Sequence, residues 1–128
     1  MSTEQFERQQ YINLETFKKN GQGVKTPVWF VMENGVLYTR TLANSWKVKR
    51  LNRNPQIKVV PCDARGNPLG TWVDGRAYEI TDPAEAGHVD GLMTKKYGLL
   101  KRAIEWIGKM RQQQRAAIRI EMETAKEY

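Results

Sequence analysis

The chain is poor in the residues that most often announce chemistry. Its 128 residues hold one cysteine, Cys62, and one histidine, His88. A single cysteine excludes an internal disulfide framework and fits a reducing compartment. One Cys and one His leave no cluster at metal-ligand spacing, so zinc sites and Cys/His catalysis are not expected. No apolar run is long enough to span a bilayer. The polar start, MSTEQFERQQ, lacks the apolar segment of a signal peptide. The expectation is a cytoplasmic protein with no membrane partner. Repeats, low complexity and the βαβ alternation of a parallel sheet are also missing. Acid is in short supply: 21 Lys and Arg face 14 Asp and Glu, a formal net charge of +7. That balance favours an anionic partner, whether nucleic acid, a phosphorylated cofactor or an acidic surface, without choosing among them. The length predicts one domain over residues 1–128, large enough to bury a core without staples.

What is present is a series of short strands. A short helix or loose arm is expected over residues 1–8. YINLETF (11–17) alternates and ends at the turn cluster KKNGQG. VKTPVWFVME (24–33) and VLYTRT (36–41) flank Asn34-Gly35, a strong hairpin signal because a type I′ turn needs positive φ at both central residues. Pro27 cannot donate to a ladder, so it should sit near an edge or irregularity. A basic helix follows, with Asn44 or Ser45 as N-cap, and stops before Asn54-Pro55. QIKVVPCD (56–63) and TWVDGRAYEI (71–80) are strands; Gly75 implies a bulge or a close backbone approach. At Asp82-Pro83 the period changes to helical, with Asp82 as cap and Pro83 at the first position. Ala86, Val89, Leu92 and Met93 share one face of this helix. A second helical run places Leu100, Ala103, Ile104, Ile107 and Met110 together. RAAIRIEME (115–123) is a last strand with one solvated face. Tight turns make most pairing antiparallel. The fold class is therefore mainly β with helices: an antiparallel sheet curled into a small barrel whose ends the helices cap.

The basic helix raises the main chemical question. A helix start exposes unpaired N–H groups and partial positive charge, a natural phosphate seat. Ser45 adds a hydroxyl there, and Lys47 lies in the first turn. A cation in the first turn opposes the helix dipole and makes more sense beside an anion. On charge alone, a solvated basic face with Val48 and Leu51 buried is slightly favoured. A nucleic-acid interface would want a helix-turn-helix or an aromatic RNA-binding signature, and none is present. Trp29 and Phe30 lie on opposite faces of their strand, which allows one to be core and the other exposed to a ligand or a partner chain; the commoner alternative is that both are packing residues. His88 reads as a surface residue and Cys62 as inert packing. Asp74, Glu79 and Asp82 are scattered and solvated, so no paired-carboxylate site is expected.

The segment from Thr26 to Ile80 resembles the pyridoxamine 5′-phosphate oxidase-like, FMN-binding split-barrel superfamily. The resemblance is carried by the strand LYT, the S-x-K that opens a helix, the NP before a strand, and the G-x-A in the strand that follows. DPAEA and KKYGLLKR further resemble its deazaflavin (coenzyme F420)-dependent subgroup. The resemblance implies a six-stranded antiparallel split barrel and a homodimer with cofactor sites in the interface. It implies FMN or coenzyme F420 as cofactor and a small molecule as substrate, with no nucleic acid. Ser45 and Lys47 would hold the phosphate, Thr39 and Thr41 would line the pocket, and Thr26, Pro27, Val28 and Trp29 would run along the ring. Trp46 stands where related oxidases often carry Arg, which leaves Lys49, Arg50 or Lys25 to compensate. Gly70 stands where those oxidases carry Gln, and their basic C-terminal substrate signature is absent, so the chain is not expected to be that oxidase itself. The implied activity is hydride transfer, with the alternative of a non-catalytic binding protein on the same barrel. No catalytic side chain is expected, since the cofactor carries the chemistry and the protein supplies orientation and electrostatics.

Overall fold

Six antiparallel strands close into a barrel in the computed structural model, which describes residues 4–42, 45–110 and 115–123 and, at 42, 99–110 and 115, the backbone alone. The strands are β1 (Tyr11–Phe17), β2 (Gly23–Glu33), β3 (Val36–Leu42), β4 (Gln56–Cys62), β5 (Val73–Glu79) and β6 (Arg115–Met122). Their order around the barrel is β1-β2-β3-β6-β5-β4, with β4 returning to β1. A 3₁₀ turn (Glu4–Phe6) precedes β1. Helix α1 (Trp46–Arg53) joins β3 to β4, and α2 (Pro83–Met110) joins β5 to β6.

Local chemistry sets most of these boundaries. Asn34 and Gly35 take φ of 53° and 79°, as the hairpin between β2 and β3 requires. Ser45 caps α1 by accepting from Val48 N, and the Asn54 N–H closes the helix on the Arg50 carbonyl. The Asp82 carboxylate accepts from Ala84 N, with Pro83 at the first helical position. Gly98, at φ 59° and ψ −129°, breaks α2 into the two helical runs expected on either side of it. A Cβ on Gly75 would lie 2.6 Å from the Glu121 carbonyl oxygen, so this is the close backbone approach that its place in a strand implied.

Alternation then divides the strands into two faces. Ile12, Leu14, Phe30, Leu37, Ile57, Val59, Ile118 and Ile120 fill the barrel, with Val48 and Leu51 of α1 packed against them. A smaller outer core forms where α2 lies over β2, β3 and β6: Val89 and Met93 pack on Val31 and Ala117, with Ala86, Leu92, Trp29 and Tyr38 around them. Arg40–Asp90, Arg119–Glu85 and His88–Glu33 pairs line the edges of this contact. The helical face expected from Ala86, Val89, Leu92 and Met93 is the buried one. The side chains of Leu100, Ala103, Ile104, Ile107 and Met110 lie outside the described residues.

Candidate functional site

Strand β2 changes partners along its length. β2 pairs with β1 from Gly23 to Trp29, yet with β3 only from Phe30 to Glu33. Past Thr39, β3 pairs only with β6. Continued, the β2–β3 register would set Val28 opposite Thr41, but the two strands run on unpaired. Residues 23–28 therefore keep one edge with no strand partner among the described residues. Pro27 lies in this one-sided stretch, where a missing N–H is tolerated.

The residues singled out from the sequence gather around this seam. Thr26 and Val28 share the barrel-facing side with Phe30, and Thr41 shares it with Thr39 and Leu37, all by strand alternation. Thr39 is buried, and its hydroxyl donates to the Trp29 carbonyl, which closes the seam at its end. Pro27 faces outward and is exposed. Trp29 also faces outward, but its ring stacks on Tyr97 of α2, with centroids 4.4 Å apart and planes 5° from parallel. Of the two strand aromatics, Phe30 is the core residue and Trp29 belongs to the helix contact.

Three residues separate the end of β3 from the start of α1. The Ser45 Oγ sits 3.4 Å from Val48 N and accepts from it, so its own O–H remains a donor. The first turn of α1 holds no acid. Lys47 is partly buried there and makes no ion pair among the described residues. Burial, and then the charge of Arg50, push its ammonium below the usual lysine value. Trp46 is 69% exposed, with the Lys49 ammonium 4.6 Å from its ring centroid. These two form a basic aromatic flank on the solvent side of the helix start.

Arg50 and Arg53, open from sequence, face β1 instead. Arg50 reaches the Thr16 hydroxyl at 3.3 Å and Arg53 the Phe17 carbonyl at 3.2 Å, which ties α1 across the barrel end. Lys25 lies over the Trp72 ring. Cys62 is buried, and burial followed by the Asp63 charge pushes its thiol up to about 11, so it is protonated and unreactive at neutral pH. His88 is exposed and bonds Glu33 at 2.7 Å. Among the described residues no His, Cys, Asp and Glu group could hold a metal ion, and no helix is long and apolar enough to cross a membrane.

Tyr97 had no role assigned from sequence, although KKYG was part of the quoted pattern. Its hydroxyl accepts from Phe30 N at 3.0 Å and lies 2.7 Å from the Gln10 carbonyl and 2.8 Å from the Phe30 carbonyl. It serves the backbone groups just beyond the β1–β2 ladder. No periodicity could reveal this contact, which spans 67 residues.

The pyridoxamine 5′-phosphate oxidase family model matches residues 2–128. No curated protein matches the chain. Among solved structures, a heme storage protein, HutZ from Vibrio cholerae, is similar at 17% identity and a TM-score of 0.71, over 95% of this chain and 87% of that one. An FAD-binding protein from Mesorhizobium loti is similar at 20% identity and a TM-score of 0.66, over 95% and 85%. An F420 reductase is similar at 18% identity and a TM-score of 0.60, over 94% and 92%. Likeness at these identities establishes the fold.

Proposed function

The chain belongs to the pyridoxamine 5′-phosphate oxidase family, and from that premise we propose that it is a flavin- or deazaflavin-dependent oxidoreductase. It takes FMN or coenzyme F420 at the seam and moves hydride between that cofactor and a small-molecule substrate. One observation carries the reading: a partly buried lysine, Lys47, in the first turn of a helix with no acid in that turn and, among the described residues, no ion-pair partner. A phosphate there would relieve both the desolvation and the repulsion from Arg50.

When bound, the cofactor supplies the hydride chemistry of its ring. The rest falls to the chain's own groups. Lys47 neutralises the phosphate charge, and the Ser45 hydroxyl and the first N–H groups of α1 donate to its oxygens. The unpaired edge of Thr26, Pro27, Val28 and Trp29 meets the polar rim of a planar ring, while Val28 and Thr41 line the opening. Thr39 holds the end of the seam through Trp29. Trp46 and Lys49 flank the entrance, and their exposure suits cover by the second subunit of a homodimer. The FAD-binding and F420 reductase relatives of this fold support a flavin-type cofactor. The competing reading is a non-catalytic carrier, which a heme storage protein of the same fold supports.

Titration of the purified protein with FMN and with coenzyme F420, followed by absorbance and fluorescence, tests the cofactor. Micromolar binding of one of them is expected, and failure of both sinks the proposal. Repeated reduction and reoxidation of the bound cofactor by added donor and acceptor separates an enzyme from a carrier. Sedimentation at micromolar concentration should show a dimer.

A further inference from the structure

A concavity of about 460 Å³ lies on the other half of β2, beyond the seam. Its floor is apolar, built from Phe6, Phe30, Val31, Met32 and Leu92. Its rim is basic: Arg8, Lys95 and Lys96 stand against one acid, Glu7. None of these three cations has an ion-pair partner among the described residues.

Two features mark this as more than a chance dip. Lys96 is folded back over the floor, with its Nζ 3.8 Å from the Phe30 ring centroid and donating to the Phe30 carbonyl at 2.8 Å. That posture takes the ammonium partly out of water and, among the described residues, gives it one hydrogen-bond acceptor for its three N–H donors. Desolvation alone pushes it down to about 8. Arg8 adopts φ 64°, a left-handed backbone that an arginine seldom takes, at the turn between the 3₁₀ segment and β1. That turn sets Arg8 on the rim across the cleft from α2.

We propose that this cleft binds a small organic anion, an apolar body carrying a carboxylate. The body lies on the Val31, Met32 and Leu92 floor. The carboxylate sits between Lys96 and Arg8, where it satisfies the spare ammonium donors. The volume lies within the range of small-molecule sites, and convergent cations over an apolar floor are what such a ligand needs. The site is separate from the seam: none of its lining residues belongs to residues 23–29, to Thr39 or Thr41, or to the start of α1. It therefore holds whether or not a flavin occupies the seam.

The test uses 2-naphthoate as probe, with 2-naphthylmethanol as its neutral counterpart. Binding to the full chain is followed by calorimetry and by amide chemical shifts. The acid is expected to bind at least about tenfold more tightly than the alcohol, the effect of one charge-assisted contact. Shifts should concentrate on residues 6–8, 30–32, 92, 95 and 96. Lys96→Met keeps the aliphatic stem and should weaken the acid, not the alcohol, by about tenfold. Arg8→Gln, at an exposed position, should do the same to a smaller degree. Equal binding of acid and alcohol would overturn the proposal, as would no binding of the acid. Shifts centred on Ser45–Lys49 would overturn it too, because the anion would then sit on the phosphate seat.

Discussion

The two halves of β2 are built for opposite purposes. From Phe30 to Glu33 the strand is paired with β3 and packed under α2; Phe30 is fully buried and its N–H is met by Tyr97. From Gly23 to Trp29 it is paired with β1 in place of β3, so each half has one strand partner, and in this half Lys25 and Pro27 are exposed. The closed half stabilises the barrel through burial and satisfied hydrogen bonds. The open half leaves backbone groups available, which a stability argument alone would not favour. The proposed cofactor site rests on this edge and on a helix start whose lysine has no ion pair among the described residues.

This contrast can be broken from either end. The largest effect belongs to the closed half: Phe30→Ala should cost about 3–5 kcal/mol, read from urea unfolding, because it empties the middle of the core. In the open half, Lys47→Ala should leave unfolding nearly unchanged, since it removes a desolvated charge that Arg50 repels. Its effect should appear in cofactor affinity instead, a loss of about 1.5–3 kcal/mol by fluorescence titration. Unchanged affinity would place the phosphate elsewhere.

The junction of the halves is held by Tyr97. Tyr97→Phe keeps the ring against Trp29 but strips the acceptor from Phe30 N–H, and should cost about 1–3 kcal/mol in unfolding. The smallest effect is in pH dependence. Lys96 titrates at about 8 in the folded chain against 10.5 unfolded. Above pH 8 the unfolded chain therefore binds more protons, and stability rises with pH through that window. Tyr97 acts oppositely: burial raises its phenol to about 12 from 10.0. Above pH 10 the folded chain keeps the extra proton and stability falls. Stepped-pH denaturation should show the rising limb flattened in Lys96→Met and the falling limb weakened in Tyr97→Phe.

Much of this was legible in the chain. The Asn34-Gly35 hairpin, the Ser45 cap, the Asp82-Pro83 start and the break at Gly98 all follow from φ preferences and side-chain oxygens acting within a few residues. The split-barrel resemblance was carried by such local pieces, and the closed six-stranded antiparallel barrel agrees with it. Arg50 and Arg53 could not be placed, because their partners, Thr16 and Phe17, are 34 and 36 residues away. The family resemblance put Trp29 along the cofactor ring, while the structure also gives it a partner in Tyr97 on a distant helix. The cleft over Phe30 was invisible for the same reason, since it needs the N-terminal turn, β2 and α2 together.

By itself, then, the sequence determined which segments are strands and helices, where they turn, and that a hydroxyl and a cation stand at the start of a basic helix. Periodicity, glycine and proline conformations and capping oxygens act locally, so they can be read in order along the chain. Only the tertiary structure decided that the β2–β3 ladder ends at Phe30 and Thr39, that β4 returns to β1, and that Lys96 folds over Phe30. Register and closure depend on packing between residues far apart in the chain, where the fit of whole faces, and not the preference of any one residue, decides what meets what.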